Sequence, residues 1–115
     1  MEQPKELFFP IEKAIYLFNR ATRPGSGGDK RKFWQEILGY DSPEKIRSAI
    51  LDSVKARDLM FRERDFYGNR YQAVTVLNGP TGASRLVRTG WIVRHNEKVA
   101  RFVTAVPGKR QGGKL

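Results

Sequence analysis

Arginine, lysine and threonine are the residues of this chain whose types best suit chemistry on a phosphodiester. Cleavage of RNA without a metal needs a base for the 2′-hydroxyl proton, a cation for the pentavalent phosphate and an acid for the leaving oxygen. Lys30, Arg70 and Arg88 are candidate cations, and Thr89 and Thr104 are candidate hydrogen-bond donors. Each also has a simpler interpretation: solvated surface charge for the cations, and a cross-strand hydrogen bond for the threonine pair.

The base is harder to assign, because the chain has no cysteine and a single histidine. Tyr71 is one candidate, and a lysine with a lowered pKa is another. His95 titrates in the right range, but it falls in a predicted turn, where an exposed turn residue is the simpler interpretation. Glu63 and Asp65 form a carboxylate pair without an evident third oxygen ligand, so salt bridges explain them better than a metal. We therefore expect no metal and no cofactor.

The net charge and the length of the chain limit the possible partners and the number of domains. The chain has 115 residues, with 22 Lys plus Arg against 12 Asp plus Glu and a net charge of +10. This excess favours a polyanionic partner, nucleic acid first, or an acidic protein. No stretch approaches the ~20 apolar residues of a membrane span, so a cytoplasmic protein is expected. The length predicts a single domain over 1–107, followed by a flexible basic tail over 108–115.

Apolar periodicity predicts an α+β fold, with three short N-terminal helices packed on a four-stranded antiparallel meander sheet. The first helix covers about 10–22. A second helix, capped by Asp29, ends at Gly39, and a third begins after Ser42. Gly68-Asn69 is predicted as the first hairpin turn. The four strands are expected near 59–67, 70–78, 85–94 and 99–106.

Strand pairing assigns residues to the two faces of this sheet. The last hairpin is expected to place Trp91 opposite Phe102 and Thr89 opposite Thr104, on the face that packs against the helices together with Val106. Glu63 and Asp65 are expected away from the reverse face. The second strand is expected to pair with the third around Leu77 and Leu86, and a one-residue slip would exchange the faces. The reverse face then mixes arginines with aromatic and other side chains, namely Arg62, Arg64, Phe66, Tyr71, Thr75, Arg88, Ile92, Arg94 and Arg101.

Four short segments follow one another in an order that is more specific than any one of them. They are GGDKRKFW at 27–34, YGNRY at 67–71, VRTGW at 87–91 and FVTAVP at 102–107. This series resembles a family of small bacterial domains of unknown function. In that family a Gly-rich segment leads to Lys-x-x-Phe-Phe, Tyr-Gly-x-Lys-Tyr, Arg-Thr-x-Trp and Leu-Val-Thr-Ala-Tyr-Pro. The resemblance covers roughly residues 13–107.

The resemblance carries expectations about function. Family members look like stand-alone proteins or C-terminal modules of bacterial toxins, and their layout is similar to the barnase, colicin and RelE-like ribonuclease superfamily. Val106 replaces the family's usual tyrosine, and Asp29 stands where histidine or a small polar residue is common, which puts shared acid–base chemistry in doubt. By position, the resemblance points to Lys30, Arg70, Tyr71, Arg88, Thr89, Trp91 and Thr104.

The leading hypothesis is therefore an RNA-directed, toxin-like endoribonuclease with a basic phosphate-binding site. Additional RNA contacts are expected from Arg62, Arg64, Arg94 and Arg101, because guanidinium groups grip phosphates. Two alternatives stay open. One is a non-catalytic nucleic-acid-binding module. The other is a basic interaction protein that docks an acidic partner such as an antitoxin or immunity-type protein.

Overall fold

A five-stranded mixed sheet forms the centre of the structure, a computed structural model that describes residues 3–19 and 31–108. The strands are β1 Glu6–Phe8, β2 Met60–Arg64, β3 Gly68–Asn78, β4 Ser84–Arg94 and β5 Val99–Pro107. Their order in the sheet is β1-β5-β4-β3-β2, in which β1 runs parallel to β5 and the other neighbours are antiparallel. The predicted α+β fold is thus confirmed, but the sheet is five-stranded and mixed instead of four-stranded and antiparallel, because β1 adds a parallel strand at its edge.

In the described residues, three helices cover one face of this sheet, and a short 3₁₀ helix spans Ala56–Asp58. Helix α1 (Ile11–Asn19) begins one residue after Pro10. Helix α2 (Lys32–Ile37) is a wide π-type turn. Helix α3 (Pro43–Ser53) is capped as predicted, because Ser42 Oγ accepts a hydrogen bond from the Lys45 backbone N–H at 3.3 Å. Residues 20–22 of the predicted first helix, and the predicted cap Asp29, lie outside the described residues.

The core fills the space between the helices and the sheet. Phe9 stacks on Phe102 with ring centroids 3.9 Å apart, and Trp91 meets Phe9 edge-on at 6.3 Å. Trp34 is fully buried on the helical side. Large buried rings remove much apolar area from water, which is the main favourable contribution to folding. No helix in the described segments is long and apolar enough to cross a membrane.

The turn between β2 and β3 differs from the prediction. It is formed by Asp65, Phe66 and Tyr67, whereas Gly68 already begins β3 and Asn69 is a strand residue. The Asp65 side chain accepts hydrogen bonds from the backbone N–H groups of Tyr67 and Gly68 at 2.8 and 3.2 Å. An aspartate that closes a turn in this way competes successfully with a glycine-based turn.

The register of β3 against β4 is one residue away from the expected pairing. Leu77 lies opposite Arg85, not Leu86. Because side chains alternate along a strand, this single step moves Tyr71 and Thr75 from the expected reverse face to the helix-packed face. Tyr71 accordingly lies opposite Trp91.

A β-bulge at Val103 divides the register of β5. Before it, Trp91 lies opposite Phe102 as predicted. After it, Thr104 lies opposite Gly90, so the expected pairing of Thr89 with Thr104 is wrong. One extra residue in a strand exchanges the faces of everything beyond it. Val106 is moved in the same way, away from the helix-packed face on which it was expected.

Candidate functional site

The sheet face that the helices leave uncovered, here called the open face, carries most of the candidate residues. Pairing places them in rows that cross the strands. One row has Arg88 between Val74 and Val106, and the next has Gly90 between Gln72 and Thr104. A third row contains Glu63, Arg70, Ile92 and Arg101. Backbone pairing alone thus brings charged and polar groups from β2, β3, β4 and β5 onto one surface.

A depression of about 620 Å³ lies on this face and is called the cleft below. It collects six of the predicted catalytic and contact residues, which come from four different strands. A common concavity is the minimum requirement for a binding or catalytic site. The lining residues are Arg62, Glu63, Asp65, Arg70, Tyr71, Gln72, Arg88, Thr89, Gly90, Trp91, Val103, Thr104 and Val106.

Gly90 accounts for part of the concavity. It lies in the middle of β4, between Gln72 and Thr104 on the neighbouring strands. A Cβ built there would meet only Thr104, with its Cγ2 3.5 Å away. The backbone therefore does not need glycine for steric reasons. A glycine inside a strand marks a bulge, a bend or a place where a ligand approaches the backbone closely, and the register shift against β5 lies beside Gly90.

Two of the guanidinium groups on the open face are held by carboxylates. Arg70 Nε lies 2.8 Å from Asp65 Oδ2, and Arg101 Nε lies 3.0 Å from Glu97 Oε1. The Arg70 hydrogen bond lowers the pKa of Asp65, and the Arg101 hydrogen bond does the same for the pKa of Glu97. Both carboxylates therefore stay ionised at neutral pH.

The expectation that Glu63 and Asp65 lie away from the arginine face is wrong. Glu63 lies opposite Arg70, and both carboxylates line the cleft. The bulge in β2 between Phe61 and Glu63 contributes to this, since it shifts the register of the following residues. The positive charge of the open face is thus partly compensated by its own acidic residues.

Arg88 and Arg62 are the cations of the cleft that are not compensated in this way. Both are exposed, and neither forms a salt bridge with any residue in the described ranges. Arg88 is flanked by Val74 and Val106 on the adjacent strands. A guanidinium group on such a surface has its full set of donors available for a phosphate.

Thr89 is part of the core and not an exposed donor. It is fully buried, its hydroxyl donates to the Ala73 carbonyl at 2.8 Å, and it accepts from Trp91 Nε1 at 2.8 Å. Tyr71 is also buried, and burial raises the pKa of its hydroxyl. Both residues line the cleft, but their register directs the side chains towards the helices.

Comparison with known proteins agrees with the motif series in the sequence. Residues 11–109 match the model of a family described as a domain of unknown function, DUF6883. The chain belongs to this family. The predicted membership of a family of domains of unknown function is thereby confirmed at the level of the family. No curated protein matches the chain.

The DUF6883 domain shares its fold with a solved structure. A chain of a contact-dependent growth inhibition toxin–immunity protein complex from Klebsiella pneumoniae 342 aligns with a TM-score of 0.64 and 19% sequence identity. The alignment covers 87% of this chain and 98% of that chain. At this identity the likeness establishes the architecture alone.

Several predicted contact residues of the DUF6883 domain lie outside the cleft. Arg101 is on the open face but belongs to the salt bridge with Glu97. Arg94 is exposed at the end of β4, opposite Gly68. Arg64 lies opposite Asn69, and Asn69 is one of the β3 residues on the helix-packed face. Lys30 lies outside the described residues.

Sequence reasoning missed the contributions of Gly90, Gln72 and Glu63 to the cleft. Gly90 had a readable signal, since an isolated glycine inside a strand pattern indicates a close backbone approach or a bulge. Gln72 and Glu63 had none, because their placement depends on the register of β3 and on the bulge in β2. Within the described ranges, no group of three His, Cys, Asp or Glu side chains is arranged to hold a metal ion.

Proposed function

We propose that this domain is a toxin-like endoribonuclease that binds RNA through its phosphates in the cleft and cleaves it without a metal. The observation that carries the proposal is the combination of the uncompensated cations Arg88 and Arg62 with the side-chain-free floor at Gly90. A phosphate can approach such a floor closely while guanidinium forks contact its oxygens. The net charge of +10 attracts a polyanion to the molecule as a whole.

The reaction needs one nucleophile, one proton acceptor and charge stabilisation. The 2′-oxygen of the RNA attacks the adjacent phosphorus while the bond from phosphorus to the 5′-oxygen breaks. The 2′-hydroxyl proton passes to a base of the cleft, and the leaving 5′-oxygen takes a proton from solvent. Arg88 and Arg62 stabilise the pentavalent phosphate, and the Thr104 hydroxyl and the Gln72 amide are additional donors. The products are a 2′,3′-cyclic phosphate and a 5′-hydroxyl end.

Glu63 is the candidate base. Of the two carboxylates that line the cleft, Asp65 is bound to Arg70, and its lowered pKa makes it a weak proton acceptor. Glu63 forms no salt bridge with a described residue and is exposed on β2. This assignment replaces Tyr71 and Thr89 in the chemistry, since both are buried. Lys30 lies outside the described residues and remains a candidate phosphate contact by its position in the motif series.

A protein partner is a second part of the proposal. The solved structure with the same fold is a toxin–immunity protein complex. A partner of the immunity type with an acidic surface would neutralise Arg88 and Arg62 and cover the cleft, which would block RNA. Charge complementarity of this kind determines which partners associate and how fast.

Incubation of labelled RNA with the purified protein in EDTA tests the enzyme. Wild-type protein is expected to produce fragments with 2′,3′-cyclic phosphate ends. Arg88→Ala is expected to slow cleavage ~10²–10³-fold, as the loss of a charge-stabilising donor does. Glu63→Gln is expected to slow it ~10²–10⁴-fold, as the loss of a general base does. Arg85→Ala is the matched control, because Arg85 is an exposed arginine on the same strand that does not line the cleft.

The other outcomes distinguish the alternatives. RNA that is retarded in a gel but stays intact, with retardation dependent on Arg88, would indicate a non-catalytic binding module. Equal activity of Arg88→Ala and Arg85→Ala would contradict the assignment of the cleft. If RNA is neither bound nor cleaved, and a salt-sensitive complex with an acidic protein forms, the interaction protein is the correct hypothesis.

A further inference from the structure

Two aromatic side chains are largely exposed to solvent at the turn between β2 and β3. Phe66 is 86% exposed and Tyr67 is 64% exposed, and their rings meet edge-to-face with centroids 5.3 Å apart. We call this pair the aromatic tip. A phenylalanine with so much apolar surface in water contributes little to folding, since the benefit comes from burial. The core does not explain why these two residues are aromatic.

The backbone under the aromatic tip is held in place. The Asp65 side chain accepts hydrogen bonds from the Tyr67 and Gly68 backbone N–H groups, and the Asp65 N–H donates to the Gly68 carbonyl at 2.9 Å. A Cβ on Gly68 would clash with the Val93 carbonyl oxygen, so the turn lies directly against β4. The His95 ring nitrogen is 3.2 Å from the Asp65 carbonyl oxygen. The rings are thus presented on a preorganised turn, which lowers the entropic cost of binding.

The aromatic tip is continuous with the cleft. Asp65 lines the cleft and binds Arg70 through Oδ2, while Oδ1 of the same carboxylate fixes the tip. A polynucleotide with a phosphate at Arg88 that leaves the cleft past Arg70 would run towards the turn that carries the rings. Positive charge continues beyond the cleft, because exposed Arg94 lies opposite Gly68 at the base of the turn.

We infer that Phe66 and Tyr67 form a stacking site for an unpaired nucleobase, so that the substrate is a single-stranded RNA segment. This inference rests on the proposed function. Any nucleobase has a π-face that stacks on an aromatic ring, and loss of one such contact weakens binding roughly 5- to 150-fold. Bases inside a duplex are stacked on each other and cannot reach the rings. Protein recognition of RNA by stacking accordingly uses loops, bulges and ends. The charge around the tip favours this occupant over an apolar protein surface.

The test uses an uncleavable probe that separates bases from phosphates. An eight-nucleotide 2′-O-methyl oligouridylate lacks the nucleophilic hydroxyl, and a second oligomer of the same length has abasic residues at its central positions. Wild-type protein is expected to bind the abasic oligomer roughly 5- to 150-fold more weakly than the complete one. A double variant, Phe66→Ala with Tyr67→Ala, is expected to bind both oligomers equally, with the affinity that wild type has for the abasic one. A merely structural role of the rings would not make the two oligomers equivalent.

Matched controls keep the test decisive. Phe66→Tyr and Tyr67→Phe should retain the preference for the complete oligomer, because each keeps a stacking ring. Tyr16→Ala removes an aromatic side chain of similar exposure from helix α1, on the far side of the sheet, and should also retain it. Circular dichroism checks that the double variant is folded. Since the turn is fixed by Asp65 and the backbone, we expect its melting curve to match that of wild type.

The outcomes separate this inference from the proposed function. If wild type binds both oligomers equally while RNA cleavage still depends on Arg88, the stacking site is wrong and the ribonuclease stands. Persistence of the preference in the double variant would also overturn the stacking site. If wild type binds neither oligomer, both the stacking site and the proposed RNA-binding function are wrong. Tighter binding of a 2′-O-methyl duplex than of the single strand would contradict the inference about the substrate.

Discussion

The two faces of the sheet are built from the same strands and differ in almost every property that matters for function. On the helix-packed face, Trp91 and Phe102 meet edge-to-face at 5.3 Å, and the Thr89 hydroxyl is engaged both as donor and as acceptor. On the open face, Gly90 has no side chain and Arg88 is exposed without a salt bridge in the described residues. Neighbouring residues of β4 therefore have different roles: those on the helix-packed face stabilise the fold, and those on the open face are free to contact a ligand.

The comparison shows that a single sequence motif can contain both core residues and candidate ligand-binding residues. Within the segment at 87–91, the odd positions Val87, Thr89 and Trp91 are buried, whereas Arg88 and Gly90 face the cleft. A substitution at an odd position should therefore affect folding. A substitution at an even position should affect ligand binding or catalysis with little effect on folding. The predictions below test this division.

Trp91→Ala is expected to have the largest effect. It removes a fully buried ring that contacts Phe9 and Phe102. The free energy of unfolding should fall by ~3–5 kcal/mol, as is typical for the truncation of a large core side chain. Urea denaturation followed by circular dichroism measures this change. A fall below ~1 kcal/mol would mean that the helix-packed face is not the core that the structure shows.

Gly90→Val tests the open face without changing any charge. The added side chain has room at its Cβ, because the Thr104 methyl group is 3.5 Å away, and valine is favourable in a strand. The protein should fold normally. Its isopropyl group would occupy the floor of the cleft, and a displaced phosphate should slow RNA cleavage by ~10²-fold or more. Gly90→Ala provides the graded comparison and should be affected less. Full activity of Gly90→Val would show that the phosphate does not bind above this floor.

Thr89→Val examines a buried polar group beside the cleft. The change keeps the shape of the side chain and removes the hydroxyl that joins Trp91 Nε1 to the Ala73 carbonyl. Two buried polar atoms lose their partner, so we expect a loss of ~1–3 kcal/mol in the free energy of unfolding. Activity per folded molecule should stay near that of wild type. A selective loss of activity with unchanged stability would instead make Thr89 a catalytic residue.

Asp65→Asn should have the smallest effect, which depends on pH. Because Arg70 lowers the pKa of Asp65 in the folded protein, this pair stabilises the fold above the unfolded carboxyl pKa of about 3.9. That stabilisation is lost as the pH falls through the lower folded value. The urea midpoint of wild type should therefore exceed that of Asp65→Asn at pH 7, and the difference should shrink towards pH 3. A difference that does not change with pH would contradict an ionic contribution. Glu97, which is paired with Arg101, responds in the same direction and remains in both proteins.

Several features of the fold follow from local sequence rules. Ser42 with Pro43 predicts the start of α3, and Gly39 ends the preceding segment with a φ of +86°. The pairing of Trp91 with Phe102 follows from alternation along two strands joined by a short turn. β1 could not be predicted in this way. Three residues are too few for a period, and its partner β5 lies some ninety residues further along the chain.

The faces of β3 could not be read from its sequence, for a physical reason. Residues 73–77 are apolar or β-branched at every position, so alternation does not distinguish the two sides. Val74 and Val76 are half exposed on the open face, whereas Ala73 and Leu77 are buried. Either register would bury a plausible set of side chains. The bulge at Val103 could not be predicted either, because an extra valine in an apolar strand produces no distinctive sequence pattern.

The sequence identifies several residues of the candidate site, but it does not predict how they are arranged in space. Arg88, Arg70 and Thr104 were identified by type and by motif position, and the cleft contains all three. Which cations are compensated by carboxylates depends on contacts across strands, such as Asp65 with Arg70. No spacing rule predicts these contacts. The aromatic tip illustrates the same limit, because Phe66 was expected in a strand and lies in a turn.

The most direct test of the central claim is an NMR titration of the ¹⁵N-labelled protein with the uncleavable 2′-O-methyl oligouridylate. The proposed function predicts chemical-shift changes at the backbone amides of Gln72, Gly90 and Thr104 and at the side-chain Nε of Arg88, with little change in helices α1 and α3. Shift changes confined to the helices, or no change at saturating oligonucleotide, would contradict the claim that the open face of the sheet is the RNA-binding surface.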